Sequence, residues 1–298
     1  MMPITANCHH TQPVFILCIG APKTGTTWFY NYLNSFECTD LGFKKEYHIF
    51  DAAYLEGTDH CRPNKNLAGS SSKSGFRRKQ EAQEKRLEQF RDNHDEYYDY
   101  FASLYSDIIS ISADITPSYM GLPVEVLSLI NHEFKSRGIQ TKVVFFMRDP
   151  VSRIISSAKM AQRVGIYAGK RFNRDSHIDE ILKELCKLPT VIRNSNYQDT
   201  LHNLDSVFDQ QNIHIGIYET MFSKHELERL SSFIGLQSRP DWLDKYFNRA
   251  STPEDEDIQT AFTQSFKQLL SEQYSYCFDR YPELANIENW SKHAESIA

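Results

Sequence analysis

Apolar positions along the chain form short continuous runs that alternate with helical stripes, an order typical of repeated strand and helix units. The run from Val14 to Ile19 contains several β-branched residues and stops at Gly20. After a small loop rich in Pro, Gly and Thr, apolar residues recur at helical spacing from Trp28 to Leu33. This pattern predicts a buried strand, a loop and the N-terminus of a helix.

The same period analysis predicts the remaining elements of the chain. Strands are predicted over 108–115, 141–147 and 213–218, and the second is almost continuously apolar, as in a parallel strand buried on both faces. Helices are predicted over 124–134, 150–156, 178–188, 197–208, 227–234 and 258–270. The alternation of strands with helices predicts an α/β fold with three layers, α/β/α, around a central parallel sheet.

The region after the first helix is less regular. Alternation over 43–50 predicts a second strand with Glu46 and His48 on one face. Residues 52–74 are interpreted as a long loop, and 76–105 as a helical stretch whose aromatic stripe packs in the core. We therefore expect an N-terminal tail over 1–12 and a single domain over 13–298, with a variable insertion at about 52–107.

Composition and charge narrow the class of protein. The 298 residues are 40% hydrophobic and 13% aromatic, enough to bury a large core in one or two domains. A net charge of -6 argues against nucleic acid or an anionic membrane surface as a partner, although a local basic cleft is compatible with that total. An anionic small molecule needs only such a cleft.

The N-terminus and the cysteines bear on location. The first 12 residues lack a basic segment, and the apolar run after them is too short for a membrane helix, so neither a signal peptide nor membrane insertion is expected. The six cysteines show no Cys-x-x-Cys pair, which indicates neither a zinc site nor a dense disulfide framework. Reduced thiols and a cytoplasmic location are expected.

The loop after the first strand has the chemistry of an oxyanion site. Its backbone N–H groups point to one place, the helix dipole adds partial positive charge, and Lys23 and three threonines supply further donors. A Walker loop for nucleoside triphosphates requires a lysine directly after its last glycine. Here Lys23 precedes Gly25 and no lysine follows, which argues against a nucleotide triphosphatase.

The sequence Pro-Lys-Thr-Gly-Thr-Thr-Trp over 22–28 resembles the 5′-phosphosulfate loop of sulfotransferases that use 3′-phosphoadenosine 5′-phosphosulfate (PAPS). The resemblance implies PAPS as co-substrate, a P-loop-like sulfotransferase fold and no metal. It further implies that the donor is bound by Lys23, Thr24, Gly25, Thr26, Thr27 and Trp28.

A second motif follows the strand predicted over 141–147. An arginine at the carboxyl end of a strand and a serine two helical turns later suit a phosphate, because open α/β sheets bind ligands at that edge. Arg148 and Ser156 resemble the 3′-phosphate-binding residues of sulfotransferases, whereas Arg153 is expected to pair with a carboxylate. Arg249, in a segment similar to the family's C-terminal nucleotide loop, is a further candidate.

Glu46 and His48 are candidates for the general base that takes the proton of an acceptor hydroxyl. Spacing alone is equally consistent with the polar face of an edge strand. The segment Glu-x-His-x-Phe-Asp resembles the heparan sulfate sulfotransferases and their bacterial relatives, which implies Glu46 as the base and His48 as a supporting group. The cytosolic aryl and steroid enzymes use a histidine base, so His48 is the alternative.

The expected function is transfer of the sulfuryl group from PAPS to a carbohydrate or small-molecule hydroxyl, with Lys23 stabilising the departing phosphate. Ile115 stands where the heparan sulfate enzymes have a lysine, which counts against a glycosaminoglycan acceptor. A kinase-like phosphotransferase and an inactive nucleotide-binding protein are the alternatives. Acceptor specificity is expected in 52–74 and 163–174, and the sequence gives no oligomeric state.

Overall fold

Four parallel strands form the central sheet of the computed structural model, which describes residues 12–62, 75–245 and 262–297. The strands of the chain are β1 (Val14–Gly20), β2 (Ile111–Ile115), β3 (Gln140–Met147), β4 (Ile166–Tyr167), β5 (Lys170–Arg171) and β6 (Ile213–Ile217). The sheet has the order β2-β1-β3-β6, and β4 and β5 form a separate antiparallel pair. Every residue of β1 and β2 is buried, as expected for parallel strands covered on both faces.

Helices cover both faces of this sheet. They are α1 (Thr26–Leu33), α2 (Phe50–Tyr54), α3 (Gly75–Asp92), α4 (His94–Ala102), α5 (Val124–Ser136), α6 (Pro150–Val164), α7 (Ile178–Leu185), α8 (Pro189–Arg193), α9 (Tyr197–Val207), α10 (Lys224–Ile234), α11 (Gln264–Arg280) and α12 (Glu288–Ile297). Short 3₁₀ turns are Asp59–Cys61, Pro117–Gly121, Gln210–Asn212, Pro240–Trp242 and Pro282–Asn286.

Alternate residues of β1 point into two separate cores, because side chains on a strand alternate between its faces. Phe15 stacks on Phe134 of α5, with ring centroids 3.9 Å apart, and meets Phe101 of α4 edge-on at 4.8 Å. Val14 and Ile16 belong to the opposite core, which α1 and α10 cover. The predicted three-layer α/β/α arrangement around a parallel sheet is therefore confirmed.

The strand predicted over 43–50 is wrong. The backbone there is irregular until α2 begins at Phe50, and His48 has a positive φ of 54°. The segment is instead fixed by side chains: the Tyr47 N–H donates to Thr116 Oγ1 at 3.0 Å, and the Ile49 N–H donates to Tyr119 Oη at 3.0 Å. Alternating burial arises here from a loop that packs against the end of β2, not from a sheet.

Other boundaries also differ from the predictions. The helix expected over 76–105 is divided at Asn93, whose side chain accepts a hydrogen bond from the Asp95 N–H and so caps α4. The segment predicted as a loop over 52–74 begins with α2 and a 3₁₀ turn, and residues 63–74 lie outside the described residues. Two helices, α11 and α12, follow where one helix and a tail were expected.

The C-terminal helices dock on the start of α6 through a buried carboxylate. Asp149 caps α6 by accepting a hydrogen bond from the Ser152 N–H at 2.7 Å. It also accepts from Tyr274 Oη of α11 at 2.6 Å and lies 2.7 Å from His293 Nδ1 of α12. Glu219, beyond β6, completes the junction by accepting from the Asp149 N–H. One short acidic network thus joins four elements.

The cysteines are not all reduced, contrary to the prediction, and the described helices were also compared with the requirements of a membrane span. Cys18, Cys61, Cys186 and Cys277 are free thiols, but Cys38 is disulfide-bonded, so the expectation that every thiol is reduced is wrong at that position. Across the described ranges, none of the helices combines the length and apolar character that crossing a bilayer requires.

Removing the hydroxyl that binds the buried carboxylate should destabilise the fold. In Tyr274→Phe, Asp149 loses a hydrogen bond, and a bond to a charged group contributes about 1.5–3 kcal/mol. We expect the free energy of unfolding in urea to fall by about that amount. Tyr54→Phe, which changes a ring that is 46% exposed, is the control and should leave stability nearly unchanged. Equal stability of the two variants would contradict this role of Tyr274.

Candidate active site

The carboxyl ends of the parallel strands bring two of the predicted site residues, Lys23 and Arg148, to one edge of the sheet. The chain leaves β1 for β2 on one side and later adds β3 on the other, so the ends of β1 and β3 form a topological switch point. Ligands of open α/β sheets bind in the crevice at such a point. Lys23 follows β1 and Arg148 follows β3, and the Arg148 Nη1 donates to the Lys23 carbonyl oxygen at 3.2 Å.

The loop after β1 has a backbone that presents N–H groups at the start of α1. Lys23 and Gly25 have positive φ angles of 72° and 83°. Thr24 is fully buried and its hydroxyl donates to the Ala21 carbonyl oxygen at 2.6 Å. No side chain caps the N-terminus of α1, which leaves the N–H groups of its first turn available to an anion.

Gly25 is favoured by its backbone angle, and a side chain there would also require Met221 to shift. A Cβ atom there would lie 2.9 Å from the Met221 sulfur, closer than side chains normally approach. Thr26 is buried beneath the loop, whereas Thr27 is half-buried. The structure therefore places four of the residues expected to bind PAPS at one helix N-terminus: Thr24, Gly25, Thr26 and Thr27.

Positive charge is concentrated beside this loop. Burial and, after it, the charges of Arg163, Arg148 and Lys45 together lower the pKa of Lys23 to about 8. The Lys23 ammonium lies 3.4 Å from the Met160 sulfur of α6. Cations held this close together destabilise one another until an anion joins them, so this edge suits a ligand with several negative charges.

Arg148 is held in place at the end of β3. Its guanidinium stacks over the Tyr218 ring, 4.4 Å from the centroid, and its buried Nε has no hydrogen-bond partner among the described residues. Ser156 is half-buried two turns into α6, one turn before Met160, which contacts Lys23. Arg148 thus contacts the backbone of Lys23, and Ser156 lies one helical turn from the residue that contacts its ammonium group.

Arg153 differs from its prediction. It is fully buried, and its Nη2 donates to the Ser195 hydroxyl at 2.6 Å. No carboxylate pairs with it among the described residues. Arg163 lies on the same face of α6 as Ser156 and Met160, and its charge acts on Lys23. The sequence analysis did not assign it to the donor site, although the spacing of these three residues was a signal for it.

Trp28 and Arg249, the other two residues expected to bind the sulfuryl donor, are not seen beside Lys23 and Arg148 in the part of the chain that the structure describes. Trp28 is 2% exposed, stacks on Tyr32 with ring centroids 5.2 Å apart, and donates from Nε1 to the Trp242 carbonyl oxygen at 3.2 Å. In this structure it packs in the core, and its contact with a nucleotide stays a prediction. Arg249 lies outside the described residues.

Both candidate bases lie in one chain of alternating charges. The His48 Nε2 is 3.4 Å from Glu46 Oε2, and the His48 Nδ1 is 2.6 Å from Asp51 Oδ2. The Lys45 ammonium donates to Glu46 Oε1 at 2.6 Å. Ser118 completes the chain by donating to Asp51 Oδ2. Glu46 therefore lies between two cations, and His48 between two carboxylates.

Neighbouring charged groups shift the pKa values of Glu46 and His48 in the direction opposite to the effect of burial. Burial raises the pKa of Glu46, but His48 and Lys45 outweigh it and hold the pKa at about 2. Burial lowers the pKa of His48, but Asp51, Cys61 and Glu46 raise it to about 12. These shifts favour the ionised form of Glu46 and the protonated form of His48, and the low pKa makes Glu46 a weak base for as long as its two cationic partners stay in contact.

Asp51 is the supporting residue to which sequence analysis gave no role. It is fully buried, and it also accepts a hydrogen bond from the Ala52 N–H at 2.9 Å. Its position three residues after His48 was the available signal, because the first turn of α2 returns the carboxylate to the ring. Burial raises the pKa of Asp51, yet His48 and Ser118 lower it below its usual value.

Comparison with known proteins agrees with this geometry. The family described as "Sulfotransferase domain" matches residues 13–275. A sulfotransferase from Alicyclobacillus acidocaldarius has a similar structure, with a TM-score of 0.53 and 14% identity over 95% of this chain and 100% of that one. At such identity the likeness concerns the fold alone.

Two further solved structures are similar at lower scores. The sulfotransferase domain of the curacin biosynthetic pathway has a TM-score of 0.44 and 15% identity, covering 84% of this chain and 83% of that one. The sulfotransferase domain of the olefin synthase of Synechococcus PCC 7002 has a TM-score of 0.44 and 16% identity, covering 90% and 97%. No curated protein matches the sequence. Because the family match spans most of the chain, from the first strand to α11, this protein belongs to the sulfotransferase domain family.

Proposed function

We propose that the protein transfers the sulfuryl group of PAPS to the hydroxyl of an acceptor in a single in-line step. The observation that carries this proposal is the pairing, at one edge of the sheet, of a cationic crevice with an ionised carboxylate. Lys23 and Arg148 supply the crevice, and Glu46 supplies the carboxylate. A transfer from a polyanionic donor to a neutral hydroxyl requires both features.

Donor binding is assigned to the crevice between β1 and β3. Arg148 and Ser156 bind the 3′-phosphate, and the N–H groups and threonine hydroxyls at the start of α1 bind the 5′-phosphate. Lys23 binds the oxygen that bridges phosphorus and sulfur. Negative charge grows on that oxygen as its bond to sulfur breaks, so the ammonium stabilises the transition state more than the bound donor.

The proton of the acceptor passes to Glu46. As the acceptor oxygen forms its bond to sulfur, its hydrogen moves to the Glu46 carboxylate, and adenosine 3′,5′-bisphosphate leaves. His48 donates to Glu46 and is itself held by Asp51, so the carboxylate keeps one orientation. A histidine base is disfavoured because the imidazole between two carboxylates is already protonated.

The proposed acceptor is a carbohydrate or small-molecule alcohol or phenol. Ile115 ends β2 as a buried apolar residue, so the lysine expected there for a heparan sulfate acceptor is replaced, and Lys45 is the cation beside Glu46. A cytoplasmic location is proposed from the sequence, and the disulfide at Cys38 counts against it. The kinase-like and inactive alternatives lose support, since the family match and the intact Lys23 and Glu46 favour sulfuryl transfer.

Arg148→Ala should weaken binding of adenosine 3′,5′-bisphosphate. Loss of a charge-assisted phosphate contact costs about 1.5–3 kcal/mol, whereas binding of AMP, which lacks the 3′-phosphate, should change little. Titration calorimetry with both nucleotides measures the difference. Arg171→Ala, at an exposed arginine of β5, is the matched control. If Arg148→Ala bound the bisphosphate as tightly as the control did, the assignment of the 3′-phosphate site would be wrong.

The pH dependence should report the charge of Lys23. Its pKa is lowered to about 8, so kcat/KM for PAPS should fall as pH rises through that value and the ammonium loses its proton. In Lys23→Arg the cation persists, so this alkaline limb should move to higher pH even if the rate is lower. Profiles of kcat/KM between pH 6 and 10 test both points. An unchanged limb in Lys23→Arg would assign it to another group.

Glu46→Gln should lower turnover by about 10²–10⁴ while bisphosphate binding is retained, because the amide keeps the shape but cannot accept the proton. Glu84→Gln is the control, since Glu84 pairs with Lys44 at 3.3 Å on the same side of the molecule. Steady-state rates with labelled PAPS and a panel of hydroxyl acceptors give the measurement. Normal turnover in Glu46→Gln together with an inactive His48→Ala would exchange the two roles.

A further inference from the structure

A thiol lies beside the supporting residues of the proposed base. The ligand atoms of His48, Asp51 and Cys61 are all within 4.8 Å of one another. Asp51 is buried, whereas His48 and Cys61 are half-buried and reachable from solvent. His60 adds a second imidazole, with its Nε2 3.4 Å from the Cys61 sulfur. Sequence analysis predicted no metal site, because these residues have no paired spacing along the chain.

The segment that carries Cys61 is folded back onto α2 by several hydrogen bonds. Thr58 Oγ1 donates to the Asp51 carbonyl oxygen at 2.8 Å, and Arg62 Nη2 donates to the Ala52 carbonyl oxygen at 2.9 Å. These contacts hold the 3₁₀ turn at Asp59–Cys61 against the start of the helix. Cys61 therefore reaches the carboxylate through structured backbone.

Arg91 of α3 joins the two ligand segments directly. Its Nε donates to the His48 carbonyl oxygen at 3.1 Å, and its Nη2 donates to the Cys61 carbonyl oxygen at 3.0 Å. One rigid guanidinium thus fixes the backbone of both residues relative to each other. The spacing of the imidazole and the thiol is set before any ligand arrives, which reduces the entropy cost of binding.

We propose that His48, Asp51 and Cys61 bind a zinc ion, with His60 or water as the fourth ligand. A set of one sulfur, one or two imidazole nitrogens and one carboxylate oxygen is typical of Zn²⁺. Bond lengths of about 2.0–2.3 Å in a tetrahedral site put ligand atoms roughly 3.3–3.8 Å apart. The cluster meets this spacing once the 2.6 Å contact between His48 and Asp51 opens around the ion.

The site shares its imidazole with the proposed base. His48 Nδ1 faces Asp51 and releases its proton to solvent as it binds the ion, as the Cys61 thiol also does, while Nε2 remains 3.4 Å from Glu46 and keeps its N–H donated to that carboxylate. Histidine ligands of metals commonly donate their second N–H to a carboxylate. Glu46 is therefore the hydrogen-bond partner of a zinc ligand and does not itself bind the ion. The proposed sulfuryl transfer and the proposed zinc binding do not depend on each other.

Metal binding to the full-length protein tests the proposal. Protein freed of metal by chelation is dialysed against Zn²⁺, and bound metal is measured by elemental analysis. Co²⁺ serves as the optical probe, because a thiolate ligand gives it an intense charge-transfer absorption. We expect one ion per chain, and Cys61→Ser and Cys61→Ala should both abolish the charge-transfer band and weaken Zn²⁺ binding at least about tenfold.

Two controls locate the ion. Asp59→Asn changes an exposed carboxylate two residues from Cys61 and should bind zinc like the parent protein. His9 and His10 are further residues of metal-ligating type, and they lie outside the described residues. His9→Ala and His10→Ala should leave the Co²⁺ spectrum unchanged. Zinc binding that survives both Cys61 variants, or that is lost when His9 or His10 is replaced, would overturn the proposal, as would the absence of stoichiometric binding.

Discussion

The parallel sheet, buried on both faces, is the constraint from which the rest of the structure follows. Helices lie on each side, so a polar side chain along β1 or along the second half of β3 would lose its water, and polar side chains of the candidate site lie beyond the ends of these strands. Parallel strands place all their carboxyl ends at one edge. Lys23, Arg148 and Glu219 come from distant parts of the sequence and meet there for that reason alone.

Charge is divided within that edge. On the side of β1 and β3, cations crowd together and the pKa of Lys23 falls, while on the side of α2 acids and bases alternate. Burial acts against the charged form in both places. The pKa of His48 is nevertheless raised, because two carboxylates contact the imidazole, whereas the pKa of Lys23 is lowered first by burial and then by neighbouring cations. The side with an excess of positive charge suits an anionic ligand, and the side where positive and negative charges alternate holds a carboxylate in a fixed position.

The buried strands were predicted well from their continuous apolar runs, whereas the conformation of the segment before α2 was not. The runs at β1 and β3 are long enough to be recognised, and the loop after β1 carries its own backbone requirements at Gly25. The segment before α2 alternates like a strand, but Tyr47 and Ile49 are buried by contacts to Thr116 and Tyr119, which lie far along the chain. The role of Asp51 and the approach of Cys61 to His48 depend on such distant contacts too, as does the docking of α12.

The docking of α12 has a consequence for the order in which the molecule matures. Asp149 follows Arg148 directly, yet its partner His293 is separated from it by 144 residues. A ribosome will have exposed the strand, the arginine and all of α6 long before α12 emerges. Until then, Asp149 lacks this imidazole, and the turn that aims Arg148 has one constraint fewer. The nascent chain therefore acquires its central sheet early, and the surroundings of Arg148 are completed only after α12 has emerged.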